Sequence, residues 1–298
     1  NNKINFFHSV IFFNICIFFS AFEILRENSF IIFSFFLILT IGISHGALDH
    51  EKGKKLLKIY KIKNTEVFYL TYIIIAIFVI LIWILNPVLL LSLFLVVAAY
   101  HFGKEDSDFI KINNRKYLEI FYFFKGSLVI SAPLLFNKKE TIEIFELLNF
   151  SINEYIISNS FLILFIFIAI LSNFFLYKGN NNDLRSILFL DSFSIIILNY
   201  FFNPILAFTI YFCFLHSVRH SLGLISEINK NLIIGFPIFI KKIVPLTLIT
   251  ALIYLIVFYF LAEKFSISES IVKLIFVGLA SLTFPHILLE YLVEKNEK

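Results

Sequence analysis

The sequence is short of charge. Asp, Glu, Lys and Arg make up 15% of its 298 residues, while 59% are hydrophobic and the mean hydropathy is +0.90. A soluble domain carries about 25% charged residues. A water-soluble fold could not hide so much apolar surface, so the expected solvent is lipid. Cysteine is scarce: Cys16 and Cys213 both lie inside apolar runs, where thiols act as small buried hydrophobes. That excludes a disulfide framework and a Cys-based metal motif. Methionine is missing, even at position 1, so the numbering is expected to start after the initiator. The net charge of +4 does not point to nucleic acid. In a lipid-embedded chain, Lys and Arg collect in the loops on one side.

What the chain has is apolar length. Ten segments can be drawn, at 6–22, 29–49, 66–85, 87–103, 117–136, 160–177, 186–202, 204–224, 243–261 and 273–291. Each is close to the roughly 20 residues that a helical span needs. The first could be mistaken for a signal peptide, but Ala21-Phe22-Glu23 is no cleavage site, so it is taken as a membrane helix. Asn86-Pro87 and Asn203-Pro204 separate two pairs of segments. Proline opens a helix well because its missing N–H is not needed there, so both pairs read as tight helical hairpins. Even-numbered loops hold Lys52, Lys54, Lys55, Lys104, Lys111, Arg115, Lys178 and Lys241; odd-numbered loops hold only Arg26, Lys138, Lys139 and Lys264. The positive-inside rule then puts the even loops and both termini in the cytoplasm. The expectation is an all-α polytopic bundle of about ten spans in the cell (inner) membrane, forming one domain over 1–298. Eight or nine spans would result if a weak segment were re-entrant. The stretch from Thr141 to Leu148 has the pattern of an amphipathic helix at the interface.

Ionisable residues within spans are costly and are functional candidates by default. His8 opens the first segment and reads as interfacial. The other six histidines fall into four groups: His45 with His50, His101, His216 with His220, and His286. In the ten-span topology all four groups lie in the last third of helices that run the same way, so they share one depth near the cytoplasmic surface. One or two could simply cap a helix C-terminus; the whole set points to a metal site. His216 and His220 lie four apart, on one helix face, where two imidazoles can take one ion. His45 and His50 lie five apart, about 140° around an unbroken helix, and cannot both be ligands. His45 is the better ligand, because Gly46 lets a backbone or ligand approach; His101-Phe-Gly repeats the arrangement. Imidazole suits Zn, Cu, Fe and Ni. An all-His set that leaves positions for dioxygen favours non-haem Fe(II), with the other metals still open. Asp49 and Asp106 are expected to receive the outer N–H of bound imidazoles, and Arg219 to balance their charge.

These motifs, His-Gly-Ala-Leu-Asp at 45–49, His-Phe-Gly at 101–103 with Asp106, His-x-x-Arg-His at 216–220, and Pro-His at 285–286, resemble the Brp/Blh family of bacterial and archaeal membrane β-carotene 15,15'-dioxygenases. The resemblance spans the chain from the second segment to the last. It implies cleavage of the central double bond of β-carotene with O2 to give two retinal molecules. It also implies iron held by His45, His101, His216 and His220, and retinal supplied to a microbial rhodopsin. His50 and His286 are expected to support the site without binding the ion. One departure is Ser44, where the family usually has proline before the first His. β-Carotene is almost purely apolar and dissolves in bilayers, so an enzyme embedded in the lipid bilayer can accept it laterally, and abundant Phe suits a flat polyene.

Three other readings fit the sequence less well. A membrane desaturase or hydroxylase usually carries more His, in boxes for two irons. A metal or lipid transporter often shows internal repeats and mid-membrane sites, neither of which is evident. A rhodopsin needs an intramembrane Lys, for which only Lys125 and Lys273 qualify.

Overall fold

Asparagine–proline pairs start two of the helices as expected. Asn86 accepts a hydrogen bond from the Leu89 N–H (3.1 Å) and Asn203 one from Leu206 (2.9 Å), each with Pro at the first helical position. These side chains satisfy donors that a helix start leaves unpaired. The computed structural model describes residues 2–22, 30–110, 117–153, 156–177 and 182–297, without the side chains of His45 and Glu297. The loop cations Arg26, Lys111, Arg115, Lys116 and Lys178 lie outside the described residues.

Among the described residues, ten helices are long and apolar enough to cross a membrane. They are α1 (Asn2–Ser20), α2 (Ile31–Ile59), α3 (Glu66–Leu85), α4 (Pro87–Glu105), α5 (Leu118–Phe136), α7 (Asn159–Leu176), α8 (Asn182–Phe201), α9 (Pro204–Ile228), α10 (Leu232–Ala262) and α11 (Ile267–Glu297), with the short α6 (Lys138–Leu147) between α5 and α7. Each overlaps one of the ten expected segments, and no strand occurs among the described residues. The chain is an all-α polytopic bundle. The largest differences in length are α10 and α11, 31-residue helices that both begin before the expected segments. In α10, Lys241 and Lys242 interrupt the apolar run without interrupting the backbone, and Pro237 and Pro245 are carried inside the helix, as membrane helices tolerate.

α6 forms over the stretch expected to be amphipathic. Its Thr141, Ile142, Ile144 and Phe145 are buried, and Ile144 and Phe145 pack into the main hydrophobic core. The helix is therefore packed against the bundle, touching α5 and α11.

α4 and α5 approach until their backbones touch. A Cβ on Gly103 would lie 1.8 Å from the Tyr122 carbonyl oxygen, and one on Gly126 would lie 1.9 Å from that of Ala99. Small residues permit such contact in lipid, where helices gain by packing and not by hydrophobic exclusion. Gly103 therefore serves helix packing. By contrast, the nearest atom to a Cβ on Gly46 is Asp49 Oδ2 at 3.8 Å.

α2 and α9 are not regular. α2 passes through a π-helical turn (Ile38–Gly42) and a 3₁₀ stretch (Ile43–Leu48) before resuming as α-helix at Asp49. α9 contains a π-helical stretch, Tyr211–Ser217. The two irregular stretches pack together: a Cβ on Gly42 would meet the Phe212 ring at 2.7 Å. π-turns recur at functional sites because they turn side chains out of the regular helical register. The premise of an unbroken helix between His45 and His50 is thus corrected: the backbone there changes type within five residues.

Candidate metal centre

Four imidazoles from three helices converge. The His101 ring on α4 lies edge-on to His216 of α9, with ring centroids 5.2 Å apart, and to His286 of α11 at 5.3 Å. His220, one turn beyond His216, lies 5.9 Å from His286. His101, His216 and His286 are buried. His45 sits in the 3₁₀ stretch of α2, and its side chain lies outside the described residues.

Three of these rings are each held by a different carboxylate. His216 Nδ1–H donates to Asp106 Oδ1 (2.9 Å), His220 Nδ1–H to Glu105 Oε2 (2.7 Å) and His286 Nδ1–H to Asp49 Oδ1 (2.8 Å). The carboxylates are held in turn: Tyr211 donates to Asp106 Oδ2 (2.7 Å) and Tyr72 to Asp49 Oδ2 (2.9 Å). Carboxylate–histidine pairs of this kind fix the tautomer and ring orientation of metal-binding imidazoles. With Nδ1 committed, Nε2 is the nitrogen a metal would use. The donor set is imidazole with anionic support, which suits a borderline divalent ion such as Fe(II).

Burial alone would raise the Asp106 carboxyl. The charge and hydrogen bond of His216, with Lys125 and Arg219 nearby, outweigh burial and hold it well below the usual carboxylate range. Lys125 Nζ and Arg219 both donate to the Asp106 backbone carbonyl, each at 3.3 Å.

His50 stands apart. Its Nδ1–H donates to the Ala47 carbonyl (2.9 Å) and its Nε2 lies 3.3 Å from Glu51. Arg219 forms its ion pair with Asp191 of α8, and Ser9 of α1 joins it by accepting from Arg219 (2.7 Å) and donating to Asp191 (2.8 Å). Its link to Asp106 runs through the backbone carbonyl, not the carboxylate. His8 donates from Nε2 to the Phe214 carbonyl in the π-stretch (2.8 Å).

From the sequence, Glu105 stands among the carboxylates near the histidines without being preferred, a part for Tyr211 is left open, and Asp191, Ser9 and Tyr72 are not singled out as supports. Asp191 and Lys125 were detectable, since both are charges inside apolar runs. The partners of the two tyrosines, Asp106 and Asp49, were not legible, because they lie on other helices or beyond their ends.

Asp49, His286 and Glu290 also bring ligand atoms within 4.8 Å of one another. Glu290 is paired with Lys52, and Asp49 holds His286 by hydrogen bonds. The trio thus continues the carboxylate support of the imidazole cluster. A polar cavity of about 560 Å³, lined by Glu105, His220, Lys52, Glu290 and Glu294 among others, reaches the cluster from one end of the bundle.

A family model described as Beta-carotene 15,15'-dioxygenase matches residues 36–294. The chain is similar to the beta-carotene 15,15'-dioxygenase of an uncultured marine bacterium, 66A03. The two are 29% identical over 258 residues, covering 85% of this chain and 90% of that one. No solved structure matches.

Proposed function

The chain belongs to the β-carotene 15,15'-dioxygenase family, and from that premise we propose that it cleaves the central double bond of β-carotene with O2, giving two retinal molecules at a non-haem Fe(II) site. The observation that carries this reading is the imidazole cluster with each of three Nδ1 atoms on its own carboxylate. His45, His101, His216 and His220 are the proposed ligands. His286 enters the same cluster through its contacts with His101 and His220.

Bound there, iron would supply the activation of O2 that the protein's own side chains lack. The chain's residues do the positioning. Asp106 and Glu105 hold the two α9 imidazoles with their Nδ1 protons in place. Tyr211 holds Asp106, and Tyr72 holds Asp49, the carboxylate on His286. Phe102 and Phe212 wall His216 on two sides, with centroids at 4.9 and 5.7 Å, and keep that side of the cluster apolar.

The Lys-rich even loops support putting this end of the bundle, and both termini, at the cytoplasmic face of the cell (inner) membrane. The chain is taken to act as one unit embedded in the lipid bilayer, with its retinal supplied to a microbial rhodopsin. The test is expression in cells that make β-carotene, with retinal measured by chromatography. Loss of orange colour with retinal appearing, abolished by His101→Ala, is the expected result. Unchanged β-carotene in the presence of inserted, iron-loaded protein would sink the reading.

A further inference from the structure

A stack of aromatic rings leads away from the imidazole cluster toward the end of the bundle where α4 and α9 begin. Phe212 lies over His216 (5.7 Å between centroids, 16° between planes), Phe208 over Phe212 (5.4 Å, 9°) and Phe276 over Phe208 (6.3 Å, 21°). Beside the stack is a pocket of about 70 Å³ reached by Phe94 and Phe102 of α4. Its one side chain with a hydroxyl, Thr141, donates to the Asn137 carbonyl (2.7 Å), with that of Pro133 at 3.1 Å. Ile144 and Phe145 of α6 form part of its lining. Eight residues of helix separate Phe94 from Phe102, about 12 Å at 1.5 Å per residue.

A long conjugated hydrocarbon is flat, stiff and without polar groups. Hydrogen bonds cannot set its position along a channel, so only shape can. Parallel ring faces suit its flat sides, and a wall across the channel fixes how far it enters. We infer that α6 is that wall: one arm of the polyene lies along the Phe276–Phe208–Phe212 stack, its end meets Ile144 and Phe145, and the distance from this stop to His216 selects the bond that is cut. This rests on the cleavage reading above. The stop and the cluster are joined by the ring stack, so a residue added to or removed from the stop changes how far the polyene reaches past His216. The open space is less than half of the roughly 150 Å³ that accepts benzene in an engineered cavity. The end of the lane therefore takes a few methyl groups as it stands, and the half-buried Phe208 and Phe276 must turn to admit the rest.

The experiment uses the purified, iron-loaded full chain with β-carotene, with products separated by chromatography and identified by mass. Wild type should give retinal alone. Phe145→Ala lengthens the lane and should divert at least about a tenth of the product to an unequal pair of aldehydes, one longer and one shorter than retinal. Ile144→Trp shortens it and should lower turnover of β-carotene at least tenfold with iron content retained. The milder Leu279→Ala, at the same pocket, carries the test if Phe145→Ala does not insert. Retinal as the sole product from every inserted, active truncation would overturn the stop. Absence of retinal from wild type would instead overturn the cleavage reading itself.

Discussion

His286 Nδ1 lies 2.8 Å from a carboxylate oxygen of Asp49, although 237 positions separate the two residues in the chain. The bond ties the C-terminal helix to the start of the regular part of α2. It also sets the His286 ring against His101 and His220.

That contact separates the two histidines that sequence alone treated alike. His286→Ala should lower bound iron and retinal formation by at least tenfold. His50→Ala, whose ring nitrogens engage Ala47 and Glu51, should change iron content less than twofold. Iron per protein, measured by atomic spectroscopy on both variants, checks this; equal losses would contradict the assignment.

Asp106→Asn keeps the size of the side chain and removes the charge that holds His216. Losing such a carboxylate support typically costs about 10–100-fold in metal affinity or activity. Tyr211→Phe removes only one hydrogen bond to Asp106 and should cost less. Iron-titration curves of the two variants should rank in that order.

Removing one half of the Arg219–Asp191 pair leaves a buried charge without its partner, at about 3–5 kcal/mol. Asp191→Leu should therefore insert poorly or melt early. Arg219→Met combined with Asp191→Leu should recover much of the lost thermal stability. A double variant no more stable than either single one would show that the pair is not coupled.

Gly126→Ala places a methyl group against the backbone of α4. Overpacking of this kind costs about 1–3 kcal/mol where the neighbours can shift, and here the nearest neighbour is a carbonyl at 1.9 Å. The expected result is a lower melting temperature in detergent, larger than that of Gly223→Ala, where a Cβ meets nothing within 4 Å.

Chelation should abolish retinal formation and lower the melting temperature, and Fe(II) should restore both. A ligand at a hundred times its Kd stabilises a protein by about 2.7 kcal/mol. Activity that survives exhaustive chelation would remove the metal from the proposal.

The sequence alone determined the all-helical class and where the helices long and apolar enough to cross a membrane fall, because these depend on local quantities. Apolar run length decides whether a helix can span lipid, and a charge inside such a run is costly wherever it falls. The hairpins at Asn86-Pro87 and Asn203-Pro204 were legible for the same reason, since capping is a contact between near neighbours. Tertiary structure alone decided which residue meets which. The pairing of Arg219 with Asp191, of His220 with Glu105 and of His286 with Asp49 joins helices far apart in the chain, and no spacing encodes it. The π-turns of α2 and α9 were hidden likewise: they pack on each other, Gly42 on Phe212, and that contact joins residues far apart in the chain. α6 was visible as a helix from its pattern, but its burial against α5 and α11 depended on neighbours that the pattern could not name.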